Sequence, residues 1–366
     1  MRIEHVEAIP FRLPMNTTVS FATGVISSAE HVLVRVRDSE GRVGLAEATP
    51  RPMIYGETVA SVLAAYRDFL APLSIGRYPW ELSKMEAAAT GLVRNETARA
   101  SLELACWDLY ARQLGTSCHR LLGAHVDTVR LSLLLAQSGA AALVDEARGY
   151  AACFGVSAFR IKVGLDLRKD IANCEALRVA FGDAALLSVD ANHGYDASEA
   201  RAFAHACRDL GLAWFEEPCP AEHLLDRARL VQEAGLPILA DESVTNPGEV
   251  AREILAGRAS AICLKVTRSG ILNSNRIRSF CESLGVPLVM GTQGESGIGT
   301  HAVAAHAASS ALTSRYPMES GMLFHMADDL LAEKLMPIDG RIRLTERPGW
   351  GAEIDPDKLA HYRVDA

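Results

Sequence analysis

The chain has 366 residues, 49% of them hydrophobic and 22% charged, enough to bury one large core together with a smaller companion domain. A formal net charge of −8, with no Lys/Arg cluster interleaved with aromatic residues, excludes a protein that tracks a phosphate backbone, so nucleic acid is no partner. Nowhere do about 18 uncharged apolar residues follow one another, and Glu4 and Glu7 interrupt the opening MRIEHVEAIPFRLPM; this excludes a membrane span and reads as an unexported, cytoplasmic protein.

The eight cysteines, such as Cys106, Cys153, Cys207 and Cys263, lack CxxC spacing and suit small core positions in a reducing compartment better than a disulfide or zinc framework. In residues 31–48, Val32, Val34 and Val36 alternate with Arg35 and Arg37 before a turn at Asp38 to Gly41, which predicts a hairpin with one buried face. From about residue 57 the pattern becomes helical. Leu102, Ala105, Cys106 and Leu109 share one helical face, so residues 1–127 read as an α+β domain. Beyond residue 128 come eight short apolar runs: RLSLLLA, AFRIKVG, LLSVDAN, AWFEEP, PILADES, AICLKVT, PLVMGT and SRYPMES. They alternate little and are separated by amphipathic spacers, as strands of a parallel sheet buried on both faces should be, which predicts a β/α barrel.

Nearly every run ends in a polar residue: Lys162, Asp190, Glu216, Asp241, Lys265 and Glu319. The first five are separated by steps of about 28, 26, 25 and 24 residues, one βα unit each, and Lys265 to Glu319 spans about two units with Met290 between. Catalytic groups of such barrels sit at the C-terminal ends of the strands, so these six should meet at one mouth. Asp190, Glu216 and Asp241 would repel one another in a partly desolvated pocket unless a cation lay between them. Hard oxygen donors on one face suit Mg2+, with Mn2+ as a substitute, better than zinc. The bland alternative makes each acid a solvated strand end or a helix cap.

Lys162 and Lys265 flank these acids from opposite sides as a pair of acid/base groups, and Arg160, two residues before Lys162 on the same strand face, supplies a permanent charge that favours the neutral amine. The alternative is that both lysines only salt-bridge the acids. Moving a proton α to a carboxylate requires on the order of 10 kcal/mol of selective stabilisation, which a divalent cation at the developing charge can largely provide. His193 reads as a loop residue. His301 and His306 fall on a helix after the seventh run without i, i+4 zinc spacing, and the GIG of SGIGT lacks the dinucleotide fingerprint. Trp107 and Trp214 read as core.

At these residues the chain resembles the muconate lactonizing enzyme (muconate cycloisomerase) subgroup of the enolase superfamily, over nearly its whole length. The resemblance implies a modified (β/α)7β TIM-type barrel at 128–325 and an α+β capping domain at 1–127, completed by 326–366. The family's KxK motif stands here as RIK, so Lys162 takes the acid/base position and Arg160 departs from the usual lysine. Metal ligands carry over to Asp190 in VDAN, Glu216 in FEEP and Asp241 in ADES, with Asn192 and Glu242 behind them; the second lysine falls on Lys265 in LKVTRSG. Arg160 and the acid Glu319 in MES give electrostatic support.

GTQGESGIGT, RPMIYGET and AEIDPDKLAHYR look most like muconate cycloisomerases. The DxD of dipeptide epimerases is absent, because Glu319 is followed by Ser320 and Gly321, and so is the histidine base of mandelate racemases. Family substrate choice comes from two capping loops, here about residues 15–25 and 50–58, with Tyr55 as the main candidate contact and Met53 and Ile54 as walls. The expected reaction interconverts cis,cis-muconate and muconolactone, a small carboxylate substrate, in a homo-oligomer. The rivals are an N-acyl amino acid racemase or epimerase, a dehydratase, a metal-free Schiff-base aldolase and a catalytically silent binding protein.

Overall fold

The computed structural model describes residues 1–136 and 139–364. Three antiparallel strands, β1 (Ile3–Phe21), β2 (Gly24–Asp38) and β3 (Val43–Ala48), form the N-terminal sheet in the order β1-β2-β3. The expected hairpin is β2–β3, in register from Val32 opposite Ala48 to Arg37 opposite Val43. Its turn is held by the Asp38 carboxylate, which accepts from the backbone N–H groups of Glu40 and Arg42, each at 2.9 Å. Residues 15–25 are a continuation of the β1–β2 ladder rather than an open loop: Val19 pairs with Ile26 and Ser20 with Val25, beyond an irregularity after Pro14.

The helix Glu96–Leu114 packs under this sheet with Leu102, Leu104, Ala105, Cys106 and Leu109 buried. Each large apolar side chain there contributes on the order of 2 kcal/mol. Gly44 makes the approach possible, since a Cβ would overlap the Ala105 carbonyl oxygen. Asp108, buried on the same helix, accepts from Leu45 N at 2.8 Å and from Trp350 N at 2.5 Å, tying sheet, helix and C-terminal segment together. That segment also runs along β1, where Val364 N donates to the Pro10 carbonyl at 3.0 Å and Ala327 N to that of Pro14 at 2.8 Å.

Eight parallel strands follow: β4 (Thr128–Leu135), β5 (Ala158–Lys162), β6 (Leu186–Asp190), β7 (Phe215–Glu216), β8 (Ile238–Ala240), β9 (Ala261–Leu264), β10 (Leu288–Met290) and β11 (Met318–Ser320). Their order, β10-β9-β8-β7-β6-β5-β4-β11, makes a nearly closed barrel in which each strand overlaps one of the eight predicted runs. A further strand, β12 (Arg341–Arg343), pairs antiparallel with β4. The barrel strands are almost wholly buried, which is why their sequences do not alternate. His301 and His306 lie on the helix Gly297–Ala307, and Trp214 is buried. Among the described residues all eight cysteines are free, and no helix is long and apolar enough to cross a membrane.

Candidate active site

Strand register brings the polar residues together. Lys162 is the Cα partner of Asp190, and Asp190 of Glu216, so three successive strands deliver their last side chains side by side. Asp241 and Lys265 follow β8 and β9 by one residue, and Glu319 sits within β11. All three acids and Lys265 are buried; Lys162 keeps a slightly accessible side chain.

Arg160 is the hub on one side. Its guanidinium pairs with Asp190, with Glu216 at 2.6 Å and with Glu319 at 2.9 Å, so it compensates three carboxylates besides standing next to Lys162. The Lys162 ammonium donates to Asp190 Oδ2 at 2.5 Å and to Asn192 Oδ1 at 2.6 Å. Asn192 is held in turn: its backbone N–H reaches Asp190 Oδ1 at 2.9 Å and its amide donates to Glu242 at 2.5 Å. Across the mouth Lys265 pairs with Asp241, whose other oxygen takes the Arg268 guanidinium at 2.9 Å.

The electrostatics separate these acids. Burial pushes Glu216 well above the usual carboxylate range; Arg160 opposes this, while Asp190, Glu319 and Asp241 add to it. Burial likewise raises Glu319, and with repulsion from Asp241 and Asp190 it lifts Glu242 to about 7. Burial also acts on Asp190 and Asp241, yet Arg160 and Lys162 hold the first below its ordinary value and Lys265 and Arg268 the second. For Lys265 burial favours the neutral amine, but the Asp241 charge prevails and keeps it an ammonium.

Two of the three expected ligands, Glu216 and Asp241, come together with oxygens that suit a divalent cation, while Asp190 does not join that group and its oxygens are taken by Arg160, Lys162 and the Asn192 N–H. Both oxygens of Glu216 and Asp241 Oδ2 are buried without an aligned hydrogen bond, so acceptor capacity is left over. Glu216 and Asp241 offer oxygens within 4.8 Å of each other, with the Cys263 sulfur also in range. Burial keeps that thiol protonated, and a soft neutral sulfur does not suit Mg2+. His193, Glu217 and Glu242 also cluster, but Glu217 is committed to Arg227 at 2.5 Å and to the Asp241 and Ser243 N–H groups, so the trio is no second metal site. The His193 ring instead sits 3.2 Å from the Cys219 carbonyl, as a loop residue.

The cavity above these groups encloses about 490 Å³ including its mouth and is lined by Phe21, Ile26, Ile54, Lys162, Lys265 and Gln293, among others. A larger space of about 1140 Å³ lies between the cap helices and the barrel, against Met85, Val93 and Glu103. Neither lysine lines it, whereas both line the smaller one, so the chemistry belongs there. Of the expected substrate contacts, Ile54 lines the cavity, while Met53 is 44% exposed and lies over Gly24. Tyr55 accepts from Arg268 at 2.7 Å and reaches Gln293 at 3.4 Å.

Sequence reasoning missed four residues here. Phe21 places its ring 4.6 Å from the Lys162 nitrogen, a cation–π contact delivered by the tip of the β1–β2 ladder. Arg51 is buried in the cavity wall and donates to the Gly294 carbonyl at 3.1 Å. Arg268 and Gln293 each follow a strand end by a few residues. That position was the available signal for both, in VTRSG after Lys265 and in TQGES after Met290.

Residues 5–123 match the sequence model of the mandelate racemase/muconate lactonizing enzyme N-terminal domain, and residues 142–358 that of the enolase C-terminal domain-like family. The chain belongs to the muconate lactonizing enzyme subgroup of the enolase superfamily. Among solved structures, the muconate lactonizing enzyme from Mucobacterium Smegmatis complexed with muconolactone is 40% identical with a TM-score of 0.98, covering 100% of both chains. Chloromuconate cycloisomerase CbnB from Cupriavidus necator is 28% identical over 99% of each chain. The L-Ala-D/L-Glu epimerase of Bacillus subtilis is 27% identical over 96% of each. This enolase superfamily enzyme therefore shares its architecture with cycloisomerases and epimerases alike.

Proposed function

We propose that the chain is a muconate cycloisomerase in which Asp190, Glu216 and Asp241 hold Mg2+ and the two lysines carry the proton. The observation that carries this reading is the pair of ammonium groups facing one cavity from β5 and from the end of β9, each ion-paired with a different acid of the buried set. A bound divalent cation would supply positive charge where the substrate carboxylate gains negative charge.

The chain's own residues account for the proton. In lactone formation one carboxylate oxygen of muconate bonds to the far carbon of the double bond, the π pair moves toward the α carbon of the other carboxylate, and an ammonium delivers a proton there. Lys162 is the first choice as this acid and Lys265 the second. Neighbouring carboxylates pair with both amino groups and orient them at the mouth, which suits proton donation. Arg160 keeps Glu216 and Glu319 compensated, and Phe21 and Ile54 shield the reacting carbon from water.

The choice of muconate rests on the 40% identical neighbour, whose complex contains muconolactone. It is further supported by Glu319-Ser320-Gly321 in place of a DxD. Racemisation or epimerisation would use the same two lysines from opposite faces, so the test runs both assays. With Mg2+, loss of the muconate diene absorbance is expected, with no solvent-deuterium exchange into N-acyl amino acids or dipeptides. Exchange into those compounds with muconate left untouched would overturn the proposal.

A further inference from the structure

Resting on that reading, we infer that the Gln293 side-chain amide is the specificity-determining donor for the substrate's distal oxygens, those of the carboxylate that is not held at the cation. Gln293 is only 4% exposed and lines the cavity, yet its Nε2 is buried without a hydrogen-bond partner. A buried orphan donor costs free energy that a native fold usually avoids, unless a ligand completes it.

Which end of the amide faces the cavity follows from a one-way chain of donors. Arg268 can only donate; it gives one N–H contact to Asp241 at 2.9 Å and another to the Tyr55 hydroxyl at 2.7 Å. With its lone pairs engaged from Arg268, Tyr55 has its single proton free to pass on, and the oxygen it meets is Gln293 Oε1 at 3.4 Å. The amide oxygen is thereby anchored toward the cap, and the NH2, buried at the cavity wall, is the end left without a protein partner. The other cationic donors around the cavity are already paired: Lys162 with Asp190, Lys265 with Asp241, Arg160 with three acids, and Arg51 with the Pro50 and Gly294 carbonyls. A neutral donor set apart from the cation site suits a second carboxylate, or the carbonyl of a lactone, and gives nothing to an apolar tail.

Tyr55 then acts as a positioning residue, joining the capping segment to Asp241 through Arg268.

The experiment compares wild type with Gln293→Met, which keeps the length without the donor, and Gln293→Glu, which offers only acceptors. Steady-state kinetics with cis,cis-muconate should show KM rising about tenfold or more in Q293M and further in Q293E, with kcat changed far less. The Mg2+-induced rise in Tm should be retained in both, which reports that fold and cation site are intact. Tyr55→Phe should raise KM in the same direction by a smaller factor. A Q293M enzyme whose KM stays within about twofold of wild type overturns the inference. If wild type does not turn muconate over, the parent reading fails, and calorimetric binding of matched mono- and dicarboxylates decides this one separately. Loss in Q293M confined to dicarboxylates upholds it; equal loss for both, or none, overturns it.

Discussion

Replacing Glu216 with Gln should stabilise the metal-free protein while abolishing its response to Mg2+. Five carboxyl groups, Asp190, Glu216, Asp241, Glu242 and Glu319, share the barrel mouth with four cations, Arg160, Lys162, Lys265 and Arg268. Glu216 is the acid burial disfavours most plainly, since neither of its oxygens has an aligned hydrogen bond and Asp190, Glu319 and Asp241 all repel it. A neutral amide of the same shape removes that repulsion and leaves Arg160 paired with Asp190 and Glu319. Relief of this kind is worth about 2 kcal/mol, between one and two pK units of interaction at about 1.4 kcal/mol each. With an unfolding entropy of roughly 2.1 cal/mol/K per residue over 366 residues, Tm in EDTA should rise by about 3 °C. Wild type should gain stability on adding Mg2+ by mass action, and Glu216→Gln should not. Differential scanning calorimetry with EDTA and with excess Mg2+ makes the comparison. A lower Tm for Glu216→Gln in EDTA, or an undiminished Mg2+ response, would refute the assignment of Glu216 as a cation ligand under repulsive strain.

Lys162→Ala and Lys265→Ala should each lower kcat by about 10²–10⁴-fold with far-UV circular dichroism unchanged; near-wild-type turnover in both would remove the lysines from the mechanism. Gly44→Val should destabilise by about 3 kcal/mol in urea titration, because its Cβ overlaps backbone of the helix Glu96–Leu114 and the flexible end of no side chain can yield instead. Burial holds His306 neutral, with its pKa lowered to about 3. Between that value and the ordinary imidazole range the unfolded chain binds a proton that the folded chain refuses, so stability falls as pH drops below about 6.5, by up to ~1.4 kcal/mol per pH unit. Urea titrations at pH 7 and pH 5 should show a shallower loss for His306→Gln than for wild type.

The barrel was legible because its strands are buried on both faces and therefore read as apolar runs, six of the eight closed by a charged residue where the chain emerges at the mouth. Asp190 and Lys162 could be placed together for that reason, since one βα step and parallel register put them side by side. The first strand was not legible: Pro10 and Pro14 break its pattern. They are tolerated because β1 is the edge of its sheet: among the described residues its one ladder is with β2, and the C-terminal segment meets its other side only at isolated bridges. The return of Arg341–Arg343 to β4 left no signal in a three-residue segment. Arg268 and Tyr55 are 213 positions apart, and no periodicity links a helix start to a capping segment. Gln293 was passed over because the seventh strand ends in Met290 and this amide comes three residues later, beyond the strand and just past the apolar run. Met53 and Ile54 were read as equivalent walls, but the short helix Pro52–Tyr55 turns them to different surroundings.

Turnover of cis,cis-muconate in D2O, followed by proton NMR of the lactone, tests the central claim most directly. The account predicts a single deuterium, at the carbon α to the carboxylate, formed only with Mg2+ and lost in both Lys162→Ala and Lys265→Ala. Lactone formed at an undiminished rate in EDTA, or by both variants, would contradict it.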